Sequence, residues 1–275
     1  MRAGIARLGP WLHDVKIRES LSTGSVPSTA TDPDRVSGSA YSAHDTMRWV
    51  VDQVYPDGLA GRSFLDCGCN AGGHAFGAAA LGAGRTHAFD ARQFCLDQAQ
   101  FLAEHIDAPQ ITFARHELLD LPALGLEPFD MTLFSGLFYH LPDPVAGLKI
   151  AADLTRELLI VNTSVLPRPG KALMLNRESA TRVLSGVDGL AWLPTGPAVM
   201  KDILAWCGFP HARVDFYREP EGAAGWRRLQ IFGARDPQVF AHYDRLRPDA
   251  QVMEEVAPPP AHRPRLLKRL LRRLR

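Results

Sequence analysis

The run Phe64-Leu65-Asp66-Cys67-Gly68-Cys69-Asn70-Ala71-Gly72-Gly73 joins an apolar stretch to glycines and then to small residues. That order reads as a buried strand, a tight turn and a helix, with glycine letting the backbone adopt positive φ and approach a ligand closely. The G-x-G-x-x-G spacing of a dinucleotide site is missing, because Gly68-Cys69-Asn70 lacks its second glycine. The acid before the turn, Asp66, suits a cationic group on the ligand. Asp90 closes the next apolar stretch 22 residues after Gly68, the distance of one strand–helix–strand step. An acid there accepts hydrogen bonds from both ribose hydroxyls, although a lone Asp after a strand also serves as a helix N-cap. Glu117 follows a third apolar stretch and is placed to accept from an adenine amino group while Leu118 packs on the ring; Asp120 competes for that role. The fourth apolar stretch ends in Ser135-Gly136-Leu137-Phe138-Tyr139-His140, which brings an imidazole with a near-neutral pKa to the end of a strand.

The elements that must position these residues alternate. Short apolar strands are expected at 63–67, 86–90, 110–114, 129–135, 158–162, 213–217 and 227–233, with helices at 44–54, 73–81, 92–105, 144–154 and 197–207. Alternation at this spacing gives parallel strand–helix–strand units, and continuous aliphatic strands fit a sheet covered on both faces. The fold class is therefore α/β, Rossmann-like and doubly wound. Residues 20–46 are rich in Ser, Thr, Gly, Pro and Asp and read as irregular. A long insertion, 166–194, follows the fifth strand at the sheet edge where ligands bind, and is expected to form a lid on an acceptor. Three segments result: an N-terminal cap at 1–58, the main domain at 59–235, and a C-terminal tail at 236–275.

Charge is unevenly spread. Seven of the 31 basic residues lie between Val256 and Arg275, where there is no acid, leaving 24 against all 30 acidic residues elsewhere. A body that is net negative by about six charges is a poor electrostatic match for nucleic acid, which needs clustered cations. Cys67, Cys69, Cys95 and Cys207 have no zinc-site spacing and read as small buried residues of a reduced protein. No apolar run reaches the roughly 18 residues of a membrane span, and the N-terminus lacks a signal-peptide stretch; the expected location is the cytoplasm. In the tail, Leu266, Leu267, Leu270, Leu271 and Leu274 share one helical face among Arg and Lys. Two readings stand for 261–275: an amphipathic helix in peripheral contact with an anionic membrane, or a solvated tail or homodimer contact.

The segment GLFYHLPDPVAGL at 136–148 resembles the methyltransferases similar to the tRNA wobble-uridine (carboxymethoxyuridine-forming) enzyme. Pro10-Trp11-Leu12-His13, Leu59-Ala60-Gly61-Arg62, Trp192-Leu193-Pro194 and Cys207-Gly208-Phe209 agree with it, so the resemblance runs with gaps from about residue 10 to 233. It implies a seven-stranded class I methyltransferase sheet with S-adenosylmethionine as donor and S-adenosylhomocysteine as product. By position, the cofactor contacts fall on Asp66, Gly68, Asn70, Gly72, Asp90, Ala91, Glu117, Leu118 and Ser135. The tRNA enzyme of that group uses a carboxylated donor, and the sequence singles out no cation to hold the extra carboxylate. A looser similarity, to the mycobacterial methylmannose-polysaccharide O-methyltransferases, points to a sugar hydroxyl.

Methyl transfer is an in-line displacement at the sulfonium methyl, so alignment supplies much of the rate. A sugar hydroxyl also needs a base, worth about 10²–10⁴-fold. His140 is the candidate, with Tyr139 orienting the acceptor and Trp11, His13 and Trp192 forming the acceptor wall. The competing reading of His140 is structural. A divalent metal such as Mg would do the same work by lowering the hydroxyl pKa, but no compact acidic cluster is legible. The sequence thus predicts O-methylation of a small polar acceptor, a sugar or oligosaccharide. Its alternatives are tRNA modification within the same fold and a non-catalytic donor-binding protein.

Overall fold

The computed structural model describes residues 1–29, 41–178, 189–218 and 225–248. The tail reading at 261–275 falls outside these residues, as do 179–188 of the insertion.

Seven strands form one sheet: β1 Phe64–Cys67, β2 Thr86–Asp90, β3 Ile111–Arg115, β4 Phe129–Ser135, β5 Thr155–Val165, β6 His211–Arg218 and β7 Arg227–Ala234. Their order across the sheet is β6-β7-β5-β4-β1-β2-β3. The strands from β5 to β3 are parallel, and β7 alone runs antiparallel to both its neighbours. The expected α/β class and seven strands are present. β5 is longer than the five aliphatic residues predict, because β7 pairs along it as far as Val165 and carries Thr163-Ser164 into the ladder, while β4 pairs back to Thr155 across a register shift that spans Arg156-Glu157.

Helices α1 Arg2–Leu8, α2 Ala43–Val54, α3 Gly73–Ala80, α4 Gln93–Ala103, α5 Pro144–Asp153, α6 Pro197–Trp206 and α7 Ala241–Leu246 surround the sheet. Consecutive strand residues are buried on opposite faces. Leu65, Phe134, Leu159 and Val161 pack with Leu148 and Ala151 of α5 and Met200 and Leu204 of α6. Phe64, Met131, Leu158 and Ile160 pack with Met47, Val50, Val51 and Val54 of α2 and Tyr243 of α7. Each such side chain contributes about 1.5–3 kcal/mol on full burial, which is why these strands carry no polar alternation. The helix entries are marked in the sequence: the Ser42 side chain accepts from the Asp45 amide at 3.1 Å, and Asp143, before Pro144, accepts from the Ala146 amide at 3.1 Å.

The N-terminal cap packs through Ile5, Trp11 and Val15 against Phe76 and Leu102. Gln98 of α4 ties it down, its Nε2 donating to the carbonyls of Leu8 and Pro10 at 2.7 and 3.0 Å. Part of the segment expected to be irregular is ordered: Leu21–Ser22 pairs with Lys16–Arg18, and Tyr41–Ser42 pairs with His13–Asp14. The described part of the insertion is an antiparallel hairpin, Leu173–Arg177 against Leu190–Pro194, standing over the carboxyl ends of β4 and β5. No described helix is long and apolar enough to cross a membrane.

Candidate functional site

A cavity of about 650 Å³ opens at the carboxyl ends of β1, β2 and β4. Its first wall is the glycine turn after β1. Gly68, Asn70 and Gly72 all have positive φ, of 66°, 51° and 75°. At Gly68 a β-carbon would lie 2.7 Å from the Leu137 side chain, and at Gly72 one would lie 2.5 Å from Phe113. The turn therefore needs glycine for both conformation and space. Asn70 tolerates the left-handed region because its Oδ1 accepts from the Ala71 amide at 2.8 Å.

Two acids flank that turn. Asp66 is 1 % exposed and lines the cavity; it accepts from the Ala75 amide, but its Oδ2 has no hydrogen-bond partner among the described residues. Burial, and to a lesser degree the nearby Asp90, push its pKa up to about 7. An ionised carboxylate is costly there unless a cation arrives. Asp90 is not a helix N-cap. Its Oδ2 accepts from the Asn70 amide at 3.0 Å and its Oδ1 from Arg92, through the amide at 2.9 Å and Nε at 3.2 Å. It locks the glycine turn to β2 while still lining the cavity, as do Ala91, Glu117, Leu118 and Asp120. These features fit a donor with an adenosine body and a cationic end, which Asp66, Gly68, Asp90, Glu117, Leu118 and Ser135 would hold.

The second wall is the segment after β4. Gly136 (φ 72°) turns the chain, its amide donating to the Asn162 carbonyl at 2.9 Å. Tyr139 and His140 follow with ring centroids 4.1 Å apart, and both line the cavity. His140 Nδ1 lies 2.7 Å from a Glu178 carboxylate oxygen at the end of the hairpin. Burial lowers the His140 pKa, Glu178 opposes that shift, and Arg92 and Arg228 reinforce it. Arg228 of β7 donates from Nη1 to Tyr139 Oη and Ser164 Oγ, each at 3.0 Å. It is a cation facing the cavity with only neutral partners, and no carboxylate pairs with it among the described residues. The sequence reasoning missed it. β7 is antiparallel, so its first residues, not its last, reach the carboxyl edge of the sheet. His74, at the start of α3, and His13 also line the cavity, in an edge-to-face contact at 4.7 Å. Burial holds both neutral, with His74 lowered to about 4.

The proposed acceptor wall is not assembled as expected. Trp11 is 5 % exposed, donates from Nε1 to the Ile5 carbonyl at 2.9 Å and packs on Phe101. It is a core residue of the cap and does not line the cavity, since an indole on an apolar helix face is worth more buried than exposed. Trp192 also lies off the cavity; its Nε1 donates to the Pro142 carbonyl at 3.1 Å and ties the hairpin to the segment after β4. Gly72 shapes the turn rather than lining it. Among the described residues no three His, Cys, Asp or Glu side chains converge as a metal site. All four cysteines are free and buried.

Residues 64–157, from β1 into β5, match the family model described as a methyltransferase domain. The chain thus carries a methyltransferase domain, set in a sheet with the class I methyltransferase fold. The chain is 29% identical over 171 residues to the tRNA U34 carboxymethyltransferase of Marinobacter nauticus, covering 60% of this chain and 50% of that protein. It thus spans about half the length of the curated relatives it matches. Among solved structures, it is similar to the N-terminal domain of EvdMO1 in the presence of SAH and D-fucose, with a TM-score of 0.65 and 19% identity, over 85% of this chain and 94% of that one. It also resembles magnesium protoporphyrin IX methyltransferase (ChlM) from Synechocystis PCC 6803 with bound SAM, with a TM-score of 0.50 and 22% identity, over 69% of this chain and 78% of that one. Both structural likenesses concern the fold.

Proposed function

We propose that this methyltransferase transfers the methyl group of S-adenosylmethionine to a hydroxyl of a small polar acceptor of the saccharide class. The observation that carries the reading is that one cavity holds both the donor-side acids, Asp66 and Asp90, and an imidazole, His140, at its far wall. In the transfer, an acceptor oxygen lone pair forms the new C–O bond as the S–C bond breaks onto sulfur. The hydroxyl proton passes to His140. Aligning donor and acceptor in one cavity supplies the entropic part of the acceleration, and the base supplies the rest. Tyr139, held by Arg228, borders the acceptor's approach.

A second reading has its own observation. Arg228 is a cavity cation without a carboxylate partner among the described residues, and it suits an additional carboxylate on the donor. The curated relatives carry the name tRNA U34 carboxymethyltransferase, so carboxymethyl transfer to tRNA competes with methyl transfer to a sugar. One experiment separates them. The full chain is incubated with methyl-labelled S-adenosylmethionine, or with its carboxylated analogue, against the oligosaccharide and RNA fractions of a cell extract, D-fucose serving as the first defined sugar. A methyl mass increment on a sugar supports the first reading, and a carboxymethyl increment on RNA replaces it with the second. Donor binding with no transfer to any fraction overturns both in favour of a non-catalytic donor-binding protein.

A further inference from the structure

The lid hairpin ends on a side chain that the transfer reaction above does not use. Glu178 follows the strand Leu173–Arg177, and its amide donates to the Gly189 carbonyl at 3.0 Å, which fixes its backbone at the last rung of the hairpin. From there the carboxylate reaches 38 residues back in sequence to His140 Nδ1, at 2.7 Å, with both side chains only 18% exposed. The hairpin is anchored at its base by Leu166, whose amide donates to the Pro194 carbonyl at 3.1 Å, and by the Thr195 hydroxyl, which donates to the Gly170 carbonyl at 2.8 Å. Along its length only Trp192, on the Pro142 carbonyl, and Glu178, on His140, are hydrogen-bonded to the segment after β4 among the bonds described.

We propose that Glu178 is the positioning residue of the acceptor-side base: its carboxylate accepts the Nδ1 proton of His140 and fixes the basic lone pair on Nε2. The proposal rests on the reading of His140 as base. The charged groups facing His140 are Glu178 from the hairpin, Arg228 from β7 and Arg92 from the start of α4, while Tyr139 of its own turn packs against the ring at a tilt of 51°. Burial and two guanidinium groups weaken the imidazole as a base, and Glu178 is the carboxylate that opposes them. When the acceptor O–H proton moves to Nε2, the imidazolium that forms is paired at Nδ1 with an existing negative charge, so the positive charge lost from the sulfonium and gained on the ring never stands alone in a low-dielectric site.

The test uses the full chain with S-adenosylhomocysteine bound and ¹⁵N-labelled histidine. In the unsubstituted protein His140 titrates as an Nδ1–H tautomer. In Glu178→Gln the His140 pKa falls by about one unit or more and the neutral ring loses its fixed tautomer, while S-adenosylhomocysteine affinity is unchanged. Glu178→Asp, which keeps the charge, recovers part of the shift. In the transfer assay described above, Glu178→Gln lowers kcat by about tenfold or more, within the 10²–10⁴-fold worth of a base, and moves the acid limb of kcat/KM to lower pH. An unchanged tautomer and titration in Glu178→Gln overturns the proposal. If His140→Ala turns over normally, the base reading falls and this proposal with it. If His140→Ala is inactive but Glu178→Gln keeps the rate and pH limb, the Glu178 assignment alone is wrong.

Discussion

The Asp66 carboxylate, with Oδ2 left without a hydrogen-bond partner among the described residues, makes a quantitative prediction about donor binding. With its pKa raised to about 7 from 3.8 by burial, the side chain is largely neutral in the free protein below neutrality, and only its ionised form attracts the ammonium end of the donor. Donor affinity should therefore fall about tenfold, or 1.4 kcal/mol, for each pH unit below about 7. Each donor bound in that range displaces close to one proton. Of the neighbouring histidines, His74 is lowered to about 4 and His13 well below its usual value, so both titrate to the acid side of this window. His140 is lowered in the same direction. The donor's own α-amino group titrates at about 7.7–8.0, which sets the upper limit of the useful window. Isothermal titration calorimetry between about pH 5.5 and 7.5, in buffers of different ionisation enthalpy, reads both the slope and the proton count. Asp66→Asn should bind the donor weakly at every pH, with no slope. Stability gives the same sign. A carboxyl whose folded pKa is raised stabilises the donor-free fold at low pH, and that contribution is lost as pH rises from about 4 to about 7, on the order of 4 kcal/mol for this shift. Asp66→Asn should accordingly raise the melting temperature of the donor-free protein at pH 8 more than at pH 5. A flat affinity across the window, with buffer-independent heats, would refute the assignment of Asp66 as the donor's counter-charge.

Other consequences are as direct. His140→Ala should cut kcat by about 10²–10⁴-fold with donor affinity held within about twofold, checked by initial rates alongside calorimetry. Gly68→Ala sets a β-carbon 2.7 Å from Leu137 in a left-handed residue; it should lose at least the roughly 1–2 kcal/mol of that conformation in a denaturant midpoint, and donor binding with it. Trp11→Ala should cost about 3–5 kcal/mol of stability through its buried indole yet leave donor affinity intact below the melting temperature, because the ring packs in the cap. Arg228→Met should leave S-adenosylmethionine binding unchanged and abolish any preference for the carboxylated analogue; a preference that survives removes Arg228 from the second reading.

Much of the donor side was legible in the chain. Continuous apolar strands, each closed by a turn glycine or an acid, locate Asp66, Gly68, Asp90, Glu117 and Ser135 one strand–helix step apart, and parallel pairing then brings every strand end to one edge. Local sequence suffices because each residue is fixed by the strand it terminates. What the sequence could not decide were roles set by contacts between distant segments. Trp11 looked like a recognition aromatic and is core, because Phe101 and the Ile5 carbonyl claim its ring and its N–H. Asp90 keeps its place but also clamps Asn70, a bond no spacing reveals. Arg228 reaches the cavity only because β7 inserts antiparallel between β5 and β6, reversing which end of the strand meets the ligand edge. Glu178 meets His140 only through the hairpin that folds back over it. The sequence by itself thus determined which residues close the strand ends on the donor side, since a strand end is a local fact, while the acceptor side was decided by tertiary structure, where strand direction and a returning hairpin choose which charges face the cavity.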